Sequence, residues 1–178
     1  MSTELKPVVS HPVDVAQFPP AFHLGSDDVP FADDFGAPGV HLKLLFADPE
    51  GGAFAVRIRF EPGVQLPPHH HTGAVFAFTL KGEWSYLEYP ETPPNRPGSF
   101  LYEPPGSTHT LKVADHAAET DVFFVIHGAM LIQDPAGNVV ARLDAASHLR
   151  DWPEALRAQG KQVPPIIAGG RAHYTKAG

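Results

Sequence analysis

Two short segments decide the fold of this chain: residues 63–82 read GVQLPPHHHTGAVFAFTLKG, and residues 98–109 read GSFLYEPPGSTH. Both begin with glycine and place proline beside apolar residues, which is typical of short strands joined by tight turns. In the first segment, His69 and His71 stand two positions apart on an extended stretch, so their side chains point to the same face. Neutral imidazole is a common metal ligand, and two imidazoles from one strand form a rigid half of a metal site.

A third histidine, His109, ends the second segment on the predicted strand Thr108–Val113. It shares the apolar face of that strand with Leu111 and Val113. Taken alone, a histidine in such a position is more often a hydrogen-bonded core residue than a metal ligand. The choice between the two interpretations therefore depends on how the segments are spaced relative to each other.

The spacing of glycine, histidine and proline in the two segments resembles the paired motifs of the cupin superfamily, over roughly residues 40–143. This resemblance favours a metal site made of His69, His71 and His109. The sequence departs from the motif at Val75, where most metal-binding cupins carry a glutamate ligand. Three neutral imidazoles leave a divalent ion with its full charge and with open positions, so the site favours an anionic chelating substrate and can admit O₂.

Within the superfamily, residues 68–110 are similar to the branch of 2,4′-dihydroxyacetophenone dioxygenase and acetylacetone (diketone) dioxygenase. The resemblance implies Fe(II), bound without haem, as the cofactor and O₂ as the co-substrate. Together they would cleave a carbon–carbon bond next to a carbonyl. The implied small-molecule substrate is a β-diketone or an aryl hydroxyketone. The dihydroxyacetophenone enzyme cleaves its aryl hydroxyketone to 4-hydroxybenzoate and formate.

Two other functions stay open at this point. One is a non-catalytic, zinc-binding sensor cupin, similar to the domain of anti-sigma factors that detects reactive oxygen. Those domains normally keep the carboxylate that Val75 replaces, and they are fused to a helical segment that binds a regulator. The other is a metal-dependent cupin isomerase or hydrolase that does not use O₂.

Acidic and aromatic residues near the motifs are candidates for supporting roles. Glu103, six positions before His109, would orient a ligand imidazole or a substrate hydroxyl, or else be a solvated turn residue. Trp84, Tyr86 and Glu88 alternate after the first segment. On an inward face, the two aromatic residues would line a substrate pocket and Glu88 would be a fourth ligand or a proton acceptor. On an outward face, they would be cross-strand aromatics beside a solvated acid.

Composition narrows the class of protein. The 178 residues carry 13 Lys and Arg against 20 Asp and Glu, a net charge of −7 that argues against a nucleic-acid partner. No apolar run is long enough to cross a membrane. The first residues lack the pattern of a signal peptide, so we expect a cytoplasmic protein. The absence of cysteine excludes disulfides and thiolate metal sites.

The 20 prolines and 16 glycines are spread between short apolar runs, which favours an all-β sandwich or barrel. With the resemblance, the expected fold is a single-domain cupin (jelly-roll) β-barrel at 39–144. An irregular N-terminal arm, 1–38, packs on this barrel. A short C-terminal helix and a tail occupy 145–178, and Pro153 should kink or end the helix.

Two further expectations concern the surface of the molecule. Exposed strands at barrel edges need covering, and cupins commonly pair through such edges, so we expect a homodimer or a homotetramer. We expect most phenylalanines in the core and most other histidines on the surface. The phenylalanines are Phe76, Phe78, Phe100, Phe123 and Phe124, and His148 is among the histidines.

Overall fold

The structure is a computed structural model, and it describes residues 21–170. These residues form twelve strands and one helix, in agreement with the predicted all-β class. The strands are β1 (Val40–Asp48), β2 (Ala53–Phe60), β3 (His69–His71), β4 (Val75–Lys81), β5 (Trp84–Tyr86), β6 (Phe100–Glu103), β7 (Thr108–His109), β8 (Leu111–Val113), β9 (Thr120–His127), β10 (Met130–Gln133), β11 (Val139–Leu143) and β12 (Ile167–Ala168). The helix α1 spans Ala145–Ala158.

The strands are arranged in three sheets. The largest has the order β12-β1-β2-β9-β4-β6, the second has the order β11-β10-β3-β7, and β5 pairs with β8. All pairs are antiparallel except β1 with β12. The sheets do not close into a continuous barrel, but the two larger ones form a jelly-roll of the cupin type. The core lies between their inner faces.

Alternating apolar residues form the inner face of the large sheet. On β2, Phe54, Val56 and Phe60 are buried, and β9 lies in the middle of the sheet between β2 and β4. The central position of β9 agrees with its apolar sequence, in which Val122 is completely buried. This face forms one wall of the site described below.

Two extended stretches of the chain are each divided between sheets. The stretch 68–80 breaks at 72–74, so that β3 joins the four-stranded sheet and β4 joins the large one. Likewise, Thr108–Val113 breaks at Thr110 into β7 and β8. These breaks carry the chain around the corners of the jelly-roll, where an uninterrupted strand would run past the edge of its sheet.

The helix α1 packs against β1. Its N-cap, Asp144, accepts a hydrogen bond from the backbone N–H of Ser147. Trp152 is completely buried and donates its indole N–H to the carbonyl of Leu42 at 2.8 Å. Pro153 lies inside this helix, which continues to Ala158, so the predicted early end at Pro153 is wrong and the kink stays a prediction. None of the helical structure between residues 21 and 170 has the length and apolar character that a membrane crossing requires.

The described part of the N-terminal arm contacts the large sheet. Ala32 forms a bridge with Leu42 and is completely buried. The ring of Phe31 lies 4.2 Å from the Arg59 guanidinium carbon and 4.7 Å from Lys43 Nζ, within cation–π range. Residues 1–20 and 171–178 of the predicted arm and tail lie outside the described residues, so the predicted boundaries stay predictions.

Candidate metal centre

Three histidines converge inside the jelly-roll. His69 and His71 lie on β3, and His109 lies directly opposite His69 on β7. One ring nitrogen from each lies within 4.8 Å of the others. The residues are only 3%, 2% and 1% exposed, respectively. The structure therefore brings the three predicted ligands to one point, where they could hold a metal ion.

The tautomer of His69 is determined by its backbone partner. Its Nδ1 lies 2.9 Å from the carbonyl of Pro67, and a carbonyl can only accept a hydrogen bond. Nδ1 therefore carries the proton, and Nε2 keeps a free lone pair that can bind a metal ion. Such a second hydrogen bond is the usual way in which proteins orient a metal-binding histidine.

Burial keeps His69 and His71 neutral. It lowers the pKa of His71 to about 4, and it also lowers the pKa of His69, despite the hydrogen bond to Pro67. Both rings are thus unprotonated near neutral pH without a metal. Because a metal ion binds the neutral imidazole, these two rings can accept an ion without first having to lose a proton.

A carboxylate joins the three rings. Glu103 ends β6 and is 3% exposed, with Oε2 at 3.0 Å from His71 Nε2 and 3.2 Å from His109 Nε2. Burial acts to raise the pKa of Glu103, but the hydrogen-bonding and charge effects of His109, His71 and Tyr86 outweigh it and leave this pKa below its ordinary value. The side chain is therefore an anion, not a solvated turn residue.

Tyr86 connects the carboxylate to the ligands. Its hydroxyl donates a hydrogen bond to Glu103 Oε1, and its ring stacks on His109 with centroids 3.8 Å apart. Burial, followed by the charge of Glu103, raises the pKa of Tyr86 well above its ordinary value. The phenol thus stays protonated and remains a donor.

Unpaired polar atoms show that the site fits a cation. His71 Nδ1, His109 Nε2 and Glu103 Oε2 are buried without a hydrogen-bond partner. Leaving such atoms unpaired costs about 1–3 kcal/mol each. A divalent ion between Nε2 and Oε2 would satisfy two of the three. Nitrogen and oxygen donors of this kind accept iron, zinc, manganese or nickel, so the donor set alone does not select the metal.

The cavity beside the site is small and mainly apolar. Its volume is about 50 Å³, which is room for an ion with one or two water molecules. Three of the lining side chains, Ile58, Leu66 and Met130, are only partly buried and mark its mouth. The other lining residues are Phe60, His69, His71, Val75, Tyr86, Glu103, Leu111, Phe124 and Ile126.

The structure brings Glu103 and Tyr86 to the histidines, but not the other two candidates. Trp84 does not line the cavity; it packs on Phe124 and donates its indole N–H to Thr79 Oγ1 at 2.9 Å. Glu88 is exposed, and its Oε2 accepts a hydrogen bond from the N–H of Thr110 at 2.8 Å. The reason is that β5 ends at Tyr86, so the strand alternation that was expected to include Glu88 stops before it.

Sequence reasoning missed the pairing that gives Glu103 its place. Val75 on β4 lies directly opposite Glu103 on β6, so the position without a carboxylate and the carboxylate at the site are cross-strand neighbours. The sequence contains no local signal for this register. The mouth residues Ile58, Leu66 and Met130 were missed for the same reason, because they come from three separate parts of the chain.

Comparison with known families agrees with this geometry. A model of the ChrR cupin-like domain matches residues 19–131, which is more than half of the chain. The chain belongs to this family. No curated protein matches this cupin.

Three solved structures show how widely the fold is shared. A protein of unknown function with a cupin-like fold from Ralstonia eutropha JMP134 is 31% identical to this cupin, with a TM-score of 0.80; the match covers 86% of this chain and 95% of that one. An RmlC-like cupin from the same organism is 25% identical, with a TM-score of 0.77 and coverage of 84% and 95%. The acetylacetone dioxygenase of Acinetobacter johnsonii is 19% identical, with a TM-score of 0.66 and coverage of 83% and 99%, and shares the fold.

Proposed function

We propose that this cupin is a dioxygenase that binds Fe(II), without haem, through His69, His71 and His109. Its reaction would use O₂ to cleave a carbon–carbon bond next to the carbonyl of a β-diketone or an aryl hydroxyketone. The observation that carries the proposal is the convergence of three buried imidazoles and one carboxylate beside an apolar cavity. The similarity of residues 68–110 to the diketone and dihydroxyacetophenone dioxygenases supports it.

The charges of the site select the substrate. Three neutral ligands and one carboxylate leave the site with net positive charge once a divalent ion is bound, which attracts the enolate form of a ketone. Bound Fe(II) would supply Lewis-acid and redox chemistry toward the enolate and O₂. Tyr86 donates its hydroxyl to Glu103 and keeps that carboxylate oriented toward the histidines.

The size of the cavity indicates which candidate substrate fits with less movement of the protein. Pockets that enclose drug-sized ligands are about 300–1,000 Å³, well above the 50 Å³ found here. An aryl hydroxyketone therefore requires the mouth residues Ile58, Leu66 and Met130 to move. A short aliphatic diketone requires less movement, and we expect it to be the better substrate.

Metal analysis combined with oxygen uptake tests the proposal. The protein is purified without oxygen, its metals are quantified, and O₂ consumption is followed as short diketones and aryl hydroxyketones are added. We expect one iron per chain and O₂ uptake that depends on the ketone, with a carboxylate and a second carbonyl-containing fragment as products. Tightly held zinc together with no O₂ uptake would overturn the proposal.

Membership of the ChrR cupin-like family favours a second candidate, a zinc-binding sensor without catalysis. Three histidines and Glu103 would complete a closed four-ligand zinc site. The same experiment separates the functions, because a sensor retains zinc and consumes neither ketone nor O₂. Loss of the ketone without O₂ uptake would indicate the isomerase or hydrolase instead. The cytoplasmic location stays a prediction, which fractionation of cells would test.

A further inference from the structure

The carboxylate of Glu103 occupies a place in the site that the three histidines leave open. We infer that Glu103 is the fourth ligand of the ion held by His69, His71 and His109. It thus supplies, from β6, the carboxylate that Val75 on β4 lacks. The inference rests on the proposed function only in requiring a bound metal, and it requires neither iron nor turnover.

The register of the sheet explains how the substitution is possible. Val75 and Glu103 are directly opposite each other on antiparallel strands. Such residues have Cβ atoms about 4.5–5.5 Å apart and side chains on the same face. Val75 is 1% exposed and lines the cavity, as Glu103 does. A longer side chain at either position therefore reaches the same space.

The distances match those between ligands of one ion. Atoms bound to a single ion at about 2.0–2.2 Å, at angles between a right angle and the tetrahedral angle, lie about 2.8–3.6 Å apart. Glu103 Oε2 lies 3.0 Å from His71 Nε2 and 3.2 Å from His109 Nε2. Oε2 and His109 Nε2 are both buried without a well-aligned hydrogen-bond partner. An ion between them would satisfy both atoms.

The second carboxylate oxygen is already engaged. Tyr86 donates its hydroxyl to Oε1 and stacks on His109. This arrangement holds the carboxylate with one oxygen toward the histidines. Glu103 would thus bind the ion through Oε2 alone.

Metal binding by variants tests the inference without substrate or O₂. The metal-free protein is titrated with Co²⁺, whose visible absorption reports the number of ligands, and affinity is measured by competition with a chelator. We expect Glu103→Val to weaken Co²⁺ binding at least tenfold and to change the absorption spectrum. The matched control is Glu88→Gln, since that exposed carboxylate is bound to the amide of Thr110.

A swap variant tests the positional argument. Val75→Glu combined with Glu103→Val returns a carboxylate to β4, and we expect it to recover the affinity and the spectrum lost in Glu103→Val. Thermal unfolding of each metal-free variant confirms that it is folded. Unchanged affinity and an unchanged spectrum in folded Glu103→Val would overturn the inference, as would a folded swap variant that binds no better than Glu103→Val.

These outcomes are separate from those of the proposed function. A wild-type protein that binds Co²⁺ through four ligands but cleaves no ketone would contradict the dioxygenase and leave the ligand assignment standing. A variant that keeps the Co²⁺ spectrum but loses turnover would show that Glu103 acts on the substrate and not on the metal.

A separate feature is the aromatic ladder, which we define as Phe76, Phe78, Phe100 and Tyr102 on the outer face of β4 and β6. Phe76 lies opposite Tyr102, and Phe78 lies opposite Phe100. The four residues are 38%, 43%, 65% and 52% exposed, in the order given. They are all the outward side chains of the paired stretch, and none is charged. The expectation that Phe76, Phe78 and Phe100 belong to the core is therefore wrong.

We propose that a second copy of this chain covers the aromatic ladder in a two-fold symmetric dimer. With about 200 Å² per aromatic side chain, the ladder exposes roughly 400 Å². A stable interface buries about 800 Å² per partner, of which somewhat more than half is apolar, so the ladder supplies nearly all the apolar area required. Among the described residues, β6 is also the last strand of its sheet, with no strand on its outer edge.

The mass of the protein in solution tests the dimer. We expect wild type to be a dimer, or a tetramer built from such dimers, by light scattering after gel filtration. Phe100→Asp should halve that mass while Co²⁺ binding is unchanged. The control is Val140→Asp, since Val140 is 62% exposed on β11, away from the ladder. A monomeric wild type, or a Phe100→Asp protein of unchanged mass, would overturn the proposal.

Discussion

At the scale of single residues, the HHH run shows how alternation separates identical side chains. His69 and His71 are buried at the candidate site, while His70 between them is partly exposed and places its Nδ1 2.9 Å from Thr108 Oγ1. The same chemistry thus serves two environments because successive residues of a strand face opposite sides. The imidazoles on the inner side could hold a metal ion, and the outer one forms a hydrogen bond at the surface.

Replacing a ligand should separate His109 from His70. His109→Ala removes one donor from the inner side, so we expect metal affinity to fall roughly 100-fold or more, with loss of any turnover. His70→Ala should keep wild-type metal content, because its ring lies on the other face. Metal analysis after gel filtration makes the comparison, and full metal content in His109→Ala would contradict the assignment of the third ligand.

A buried histidine outside the candidate site gives the molecule a measurable pH dependence. His148 is 4% exposed, stacks on Phe54 at 4.4 Å, and donates its Nδ1 proton to the carbonyl of Asp144 at 2.8 Å. Burial lowers its pKa below the ordinary value, despite that hydrogen bond. The expectation that His148 lies on the surface is therefore wrong.

The sign of this dependence follows from linkage. As pH falls below about 6.5, the unfolded chain protonates His148 before the folded chain does, so the free energy of unfolding decreases. His148→Gln removes this contribution, and we expect the variant to lose less stability than wild type between about pH 8 and about pH 5. Denaturant unfolding of the metal-free proteins measures both changes. Equal losses would contradict the prediction.

The candidate ligands could be predicted because their signal is local. Two histidines separated by one residue on a strand must share a face, and a single segment carries that information. Which face of a strand points into the core cannot be predicted from the strand's own residues. Phe76 and Phe124 both lie on apolar strands, yet Phe76 is exposed and Phe124 is in the core. Trp84 failed as a pocket residue for the same reason, since its inward face meets Phe124 and not the cavity.

At the scale of elements, the turns between strands explain why both motifs contain glycine. Gly82 and Gly98 have φ angles of +79° and +92°, which side chains rarely adopt. Their surroundings differ. A Cβ on Gly82 would lie 2.5 Å from the carbonyl oxygen of Glu119 and 2.6 Å from Thr120 Cα, whereas nothing lies within 4 Å of one on Gly98.

This difference predicts two sizes of destabilisation. Gly98→Ala should cost about 1–2 kcal/mol, which is the backbone strain alone. Gly82→Ala should cost at least about 2 kcal/mol more, because the new methyl group overlaps backbone atoms that cannot turn aside. Denaturant unfolding of both variants makes the measurement, with each serving as the control for the other. Equal costs would mean that the turn after β4 relaxes freely.

The pairing of elements was harder to predict than their existence. Most strands lie where the alternation of apolar residues predicts them. The sequence does not separate β3 from β4, or β7 from β8, because no residue pattern marks the point where the chain passes from one sheet to the next. The register that puts Glu103 opposite Val75 depends on which strands pair. Pro153 is tolerated in α1 because Trp152 and Leu156, both completely buried, hold the helix on the large sheet.

At the scale of the whole molecule, the candidate site belongs to no single sheet. The four-stranded sheet carries the three histidines, the large sheet carries Glu103, and the two-stranded sheet carries Tyr86. The donors meet only when all three sheets are assembled. Metal binding is therefore coupled to folding of the entire domain, not to one hairpin.

This coupling predicts a metal-dependent melting temperature. An ion present at 100 times its Kd adds about 2.7 kcal/mol to the free energy of unfolding. For a domain of this size, that raises the Tm by about 5–11 °C. Differential scanning fluorimetry with Co²⁺ measures the shift, and a chelator should reverse it. An unchanged Tm in His109→Ala is the control, whereas no shift in wild type would contradict a buried site.

The near-complete enclosure of the three imidazole rings should also slow the exchange of a bound ion. With 1–3% of each residue exposed, an ion cannot exchange by simple diffusion and has to wait until Ile58, Leu66 or Met130 swings aside. The rate of ion exchange should accordingly equal the rate at which these side chains move. It should not depend on the chelator concentration once the chelator is in excess. A bound ion should therefore leave slowly, so that competition with a chelator needs long equilibration before an affinity is taken from it.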